Sequence, residues 1–149
     1  MYTTILVPLD GSGRAEAILP HVEGLAQCLG TKLVLLRVVD PVASMTGMEG
    51  MPIDVTRELI QQEADEAERY LEAKRGELAA RHIDVKISVR YGPIVQAIID
   101  AAGAEQADLI AIASHGRTGL ARMFYGSVAA GVLNRAEHPL LIIRSRDEG

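Results

Sequence analysis

The sequence predicts an α/β protein, a three-layer sandwich with a five-stranded parallel sheet between four helices. Three observations carry this. Short apolar runs alternate with segments whose apolar residues recur every three or four positions. One run, Lys32 to Val39 (KLVLLRVV), is apolar almost throughout, as a strand covered on both faces should be. Strands separated by helices pair in parallel, because each crossover returns the chain to the same end of the sheet.

The elements follow in order. Ile5-Leu6-Val7 is a short, largely β-branched strand, and Pro8-Leu9-Asp10-Gly11-Ser12-Gly13 is a turn-rich loop after it. Ala15, Ile18, Leu19, Val22, Leu25, Ala26 and Leu29 then mark one amphipathic helix, with Pro20 inside it and Gly30 closing it. After strand Lys32–Val39, Asp40 to Pro52 reads as a mobile loop, broken by Pro41, Gly47, Gly50 and Pro52. Met45, Met48 and Met51 read there as filler. A long helix is expected from about Asp54 to Arg81, with Ile60, Ala64, Ala67, Leu71 and Leu78 inward. Asp65–Arg69 and Glu77–Arg81 have i,i+4 spacing on its outer face.

Asp84 to Tyr91 alternates strictly, with Lys86, Ser88 and Arg90 on the polar face, which suits a strand at a sheet edge. Gly92-Pro93 opens the next helix, Pro93 taking its first position, and Gly103 ends it. Its stripe is Ile94, Val95, Ile98, Ile99 and Ala102. Leu109–Ala113 is the fourth strand. A helix from about Gly126 to Ala136 follows, where Gly131 implies close packing on the sheet. Leu140 to Arg144 is the last strand.

Composition bounds the function. A chain of 149 residues fits one domain, 1–149, and can bury a sizeable core. With no Trp and one Phe, that core must be aliphatic. A net charge of −5 argues against a nucleic-acid binder, which usually carries a basic face. No apolar run has the length of a membrane span, and MYTTILVPLDGS lacks the features of a signal peptide. Cys28 is the single cysteine, which fits a reducing compartment. The expected location is the cytoplasm.

The most informative stretch is Ala107 to Ala136. A buried strand ends in Ser114-His115-Gly116-Arg117-Thr118-Gly119, and nine residues separate Gly116 from Gly126-Ser127, which begins a helix. Strand, glycine loop and helix N-terminus are, in this order, a place to hold phosphate on free backbone N–H groups. Ligands in such sheets sit beyond the carboxyl ends of the strands, where the strand order reverses. The Pro8–Gly13 and Ser114–Gly119 loops face each other there if the first and fourth strands are neighbours. Plainer readings exist for each residue. Asp10 is also a turn residue or helix cap, and Ser127 a good N-cap. His115, Arg117 and Arg122 are also ordinary surface groups, and Tyr125 packs against the loop. Arg117 and Arg122 are nonetheless the cations nearest in sequence to a bound polyphosphate.

ILVPLDGS, VVDP, ASHGRTGL and YGSVA, spread over nearly the whole chain, resemble the small, single-domain universal stress proteins. That family's pattern is G-x2-G-x9-G-[S/T]. Here Ala113 takes the first place, Gly116 the second, Gly126 the third and Ser127 the fourth. The resemblance implies a Rossmann-like fold of the adenine nucleotide alpha hydrolase kind. It also implies ATP, with the Mg²⁺ a triphosphate normally brings, between the first, second and fourth strands. Carried over by position, Pro8, Leu9 and Asp10 line the adenosine end, Asp10 facing the ribose hydroxyls, and Val38 offers backbone to adenine. Ala113, His115, Gly116 and Arg117 wrap the phosphates from one side, and Gly126, Ser127 and Val128 from the other.

Other chemistry finds little support. The four His are scattered and none has metal-ligand spacing with Cys28. G-x-x-x-x-G-K-[ST] and G-x-S-x-G are both absent. A response regulator needs an Asp where Tyr91-Gly92 stands, and a flavodoxin-like loop needs more hydroxyls than Pro8–Gly13 offers. No side chain stands out as a general base for ATP hydrolysis. Asp10 and His115 are the only candidates, so a dedicated enzyme is not expected. The resulting expectation is an ATP-dependent regulator of stress response. The alternative is a dimeric interaction module that has lost nucleotide binding. Leu140-Leu141-Ile142-Ile143 is more apolar than a free edge should be, so a homodimer through Leu140–Arg144 is expected.

Overall fold

The computed structural model describes residues 2–45, 47–115 and 126–145. The strands are β1 (Thr4–Pro8), β2 (Lys32–Val39), β3 (Val85–Tyr91), β4 (Leu109–His115) and β5 (Leu140–Ser145). They form one parallel sheet in the order β3-β2-β1-β4-β5. This is the expected α/β architecture, with β3 at an edge as its alternation predicts. β1 lies between β2 and β4, so the strand order reverses beside it, and the first and fourth strands are neighbours.

Two faces of the sheet bury two aliphatic layers. Ile5, Val7, Leu9, Leu33 and Leu35 pack with Val22 of α2 (Leu19–Leu29) and Leu71 and Leu78 of α4 (Ile53–Ala79). Leu6, Val34, Leu36 and Ile110 pack with Ile98 of α5 (Ile94–Ala104) and Val132 of α6 (Ser127–Arg135). The period of two along β1 and β2 divides these sets between the layers.

Several local expectations are corrected. The single helix expected from Ala15 to Leu29 is two, α1 (Gly13–Glu16) and α2. Pro20, which lacks an N–H, lies in the first turn of α2, where that donor is not needed. Gly30 closes α2 at φ +68°, donating its N–H to the Ala26 carbonyl. The stretch Asp40–Pro52 is not all loop. Pro41–Ser44 forms one helical turn, α3, because the Asp40 carboxylate accepts from the N–H groups of Val42 and Ala43 at 3.1 and 3.4 Å.

The long helix α4 ends at Ala79, so Arg81 lies beyond it and reaches Glu23 of α2 at 2.7 Å. Glu77 pairs with Lys74 at 3.6 Å, and Asp65 accepts from Gln61 at 3.0 Å. Pro93 is the N-cap of α5 rather than its first residue. Gly103 lies inside α5, and the left-handed residue after that helix is Gln106 at φ +54°. Gly131 is tight against α5 rather than the sheet: a Cβ there would stand 2.7 Å from Cγ2 of Val95.

Candidate functional site

A pocket enclosing about 190 Å³ opens at the carboxyl ends of β1, β2 and β4. β1 contributes Pro8, and Leu9 and Asp10 follow it. β2 contributes Leu36, Arg37 and Val38, and β4 contributes Ile112 and Ala113. Gly126, Ser127 and Val128 close the pocket at the start of α6. Of the residues singled out in the sequence, Pro8, Leu9, Asp10, Val38, Ala113, Gly126, Ser127 and Val128 therefore surround one cavity. His115 is the last residue of β4. Gly116 and Arg117 lie outside the described residues, as do Gly119, Arg122 and Tyr125.

Local sequence explains each wall. The Asp10 carboxylate accepts from the N–H of Ser12 at 2.8 Å and from its hydroxyl at 2.6 Å, both on one oxygen. Ser12 in turn caps α1, its hydroxyl accepting from the Ala15 N–H at 3.2 Å. Asp10 thus makes the turn and Ser12 the cap. This network uses one carboxylate oxygen of Asp10, and the residue is exposed.

At the opposite wall the N-cap of α6 is Gly126, at φ +71° and ψ 153°, which has no side chain with which to cap the helix. Ser127 is its first helical residue, so the plain N-cap reading of Ser127 fails. A carboxylate or hydroxyl cap would have taken the N–H groups of the first turn. Among the described residues Gly126 offers them none, which suits water or an anion held in the pocket. The cradle fits a phosphate: glycine backbone, first-turn donors and an exposed serine hydroxyl converge there.

Ala113 sits within β4, paired in register with Ile143. Among the described residues other than glycine, only His82 and Gln106 have positive φ. Ala113 is therefore extended, and a methyl in place of the family's first glycine meets no backbone strain here.

Sequence reading missed Arg37, Ile94 and Ile98. Arg37 is hidden inside an apolar run, yet it lines the pocket. Its guanidinium stacks over the Tyr70 ring at 5.5 Å. A Cβ on Gly11 would stand 2.8 Å from its Nη1, so the absence of a side chain at Gly11 makes room for it. Ile94 and Ile98 come from α5 and make the wall beyond Val38 apolar. Nearby, burial and the Glu16 carboxylate push the Tyr70 hydroxyl above its usual range. Glu16 pairs with Lys74 at 2.6 Å, which raises the Lys74 ammonium.

A doubly covered parallel sheet whose pocket lies where the strand order reverses defines a class: α/β domains that hold small ligands beyond their strand ends. The chain belongs to the universal stress protein family, whose profile matches residues 1–144. It is 27% identical to the universal stress protein MJ0577 of Methanocaldococcus jannaschii, over 99% of this chain and 98% of that one. The solved structure of MJ0577 superposes with a TM-score of 0.83 at 28% identity, covering 99% of each chain. UspA of Lactobacillus plantarum gives 0.78 at 29% identity, over 96% of this chain and 98% of that one. A universal stress protein solved in complex with cAMP gives 0.63 at 21% identity, over 97% and 98%. That more distant likeness bears on the fold. Among the described residues no helix is long and apolar enough to cross a membrane.

Proposed function

We propose that this protein binds an adenine nucleotide, ATP foremost, in the pocket at the ends of β1, β2 and β4, and acts as a nucleotide-dependent regulator in stress response. The observation that carries this reading is the glycine-capped start of α6 at Gly126-Ser127, which lines one cavity together with Asp10. In this reading Asp10 accepts from the ribose hydroxyls with the oxygen its turn leaves over. The backbone of Val38 and the side chains of Ile94 and Ile98 hold the base. Gly126, Ser127 and Val128 hold phosphate by N–H groups, with the Ser127 hydroxyl beside them. Ala113 borders the phosphates, and His115, Gly116 and Arg117 complete the set by their place in the motif. Support at the level of the fold comes from the relative solved with cAMP.

Mg²⁺ would arrive with a triphosphate. Asp10 is the one carboxylate lining the pocket among the described residues, so most of the ion's ligands would be phosphate and water. The protein is proposed to work in the cytoplasm as a homodimer through Leu140–Arg144. β5 is an edge of the sheet with four partly buried apolar residues, Leu140 to Ile143.

The test pairs chemistry with binding. Freshly purified protein is denatured, and any released small molecule is identified by mass spectrometry. Release of an adenine nucleotide is the expected result. Release of none, together with no binding by stripped protein, would favour the interaction-module reading.

A further inference from the structure

Arg37 is not explained by the nucleotide reading as it stands. Among the described residues the pocket is lined by two charged side chains, Asp10 and Arg37. Arg37 is half-buried, and its one described partner is the face of Tyr70. No acidic residue among those described lies in ion-pair range of it. A guanidinium held against an aromatic ring and partly withdrawn from water, without a carboxylate, is prepared for an incoming anion. Its planar fork matches phosphate oxygens two at a time.

Topology says which anion. Arg37 is on β2 and the start of α6 adjoins β4, on opposite sides of β1. Neighbouring strands are about 4.8 Å apart, so β2 and β4 are separated by roughly 10 Å. The period of two puts Arg37 on the same face of β2 as Leu33 and Leu35, where Tyr70 of α4 and Gly11 hold its guanidinium, whereas α6 covers the other face. This arrangement favours a second phosphate for Arg37, on the side of the ligand that faces Asp10. Gly11, which leaves space for the Arg37 Nη1, directly follows Asp10 in the chain. In dinucleotide sites a carboxylate reads free ribose hydroxyls, and a neighbouring Arg accommodates a phosphate on the same ribose. Here both side chains line one pocket.

We infer that Arg37 gives this pocket a preference, over AMP, for adenosine nucleotides that carry a phosphate on the ribose 2′ or 3′ oxygen besides the one at the 5′ position. This rests on the adenine-nucleotide reading above and narrows its ligand. The phosphate on the sugar lies against Arg37, and Asp10 keeps the remaining ribose hydroxyl.

Calorimetric titration at fixed ionic strength tests it, using AMP, ATP, adenosine 2′,5′-bisphosphate and adenosine 3′,5′-bisphosphate. Wild-type protein should bind at least one bisphosphate roughly tenfold or more tighter than AMP. Arg37→Gln should erase that gap while AMP affinity moves less than about threefold. Arg37→Lys, which keeps the charge but loses the fork, should retain part of it, and it serves as the second variant if Arg37→Gln does not fold. Equal affinity of wild-type protein for AMP and both bisphosphates overturns the inference and leaves the nucleotide reading intact. So does an Arg37→Gln loss that falls on ATP alone, which would put Arg37 at the end of a 5′-phosphate chain. Binding of none of the four ligands overturns both.

Discussion

Gly126 holds φ +71° and ψ 153°, a conformation that a branched side chain strongly resists. Gly126→Val should therefore displace the start of α6 and obstruct phosphate approach. The expected cost is at least tenfold in nucleotide affinity, about 1.4 kcal/mol, with the far-ultraviolet spectrum unchanged. Equal affinity in a well-folded variant would place the phosphates elsewhere. Gly131 poses a different question, because its missing Cβ is required by Val95 at 2.7 Å. Gly131→Ala should lower stability by about 1 kcal/mol, overlap outweighing the better helix propensity. In a Val95→Ala background the same change should instead stabilise by up to about 1 kcal/mol, as urea denaturation would register. These two glycines were visible in the sequence, one through motif spacing and one through its place inside a helical stripe. Arg37 was not. One cation in KLVLLRVV gives no hint of its neighbours, and Gly11 and Tyr70 come from distant parts of the chain. Its place in the pocket became legible only with the structure.

At the scale of elements, the β1–β4 pairing positions the site, and its lower end is fastened by Asp108. That carboxylate accepts from the N–H and hydroxyl of Thr3 at 2.8 and 2.9 Å and from the Thr4 N–H at 3.2 Å. Burial opposes its charge, but these donors outweigh burial and hold the carboxyl below the usual carboxylate range. A depressed folded value sets the sign. Its contribution is complete above the unfolded value of about 3.9 and is lost as pH falls through the folded one. Asp108→Ala should thus lower the urea midpoint at pH 7, and the gap to wild type should close in acid. A gap that stays constant with pH would contradict this account of Asp108. The long elements were legible because their apolar periods are clean. The short ones were not. α1 ends at Glu16 although the apolar spacing runs on through Ile18, and α3 depends on a side-chain cap that composition obscures. Gly103 suggested a helix end, yet the chain turns at Gln106, since tertiary packing and not propensity sets the stop.

On the scale of the whole molecule, a sheet ordered β3-β2-β1-β4-β5 leaves two edges of different character. β3 carries Lys86, which pairs with Glu105 at 2.8 Å, and such charge discourages edge pairing. β5 offers Leu140 to Ile143 instead, so it is the edge expected to meet a second copy. Light scattering at micromolar concentration should give twice the 16.0 kDa of the chain, and Ile142→Lys should return the monomer mass. A monomeric wild-type protein would remove this proposal without touching the pocket. The architecture could be read from one sequence because period and spacing encode it locally, and the pocket walls from β1, β2 and α6 followed from the family resemblance. The convergence of α5 and Arg37 on the same cavity could not, because it is a product of the crossovers. The central claim is nucleotide binding, and calorimetric titration of stripped protein with Mg-ATP tests it most directly. A micromolar dissociation constant, weakened at least tenfold by Gly126→Val, is the predicted result. No heat up to millimolar ATP, in protein that is folded and free of bound ligand, would contradict it.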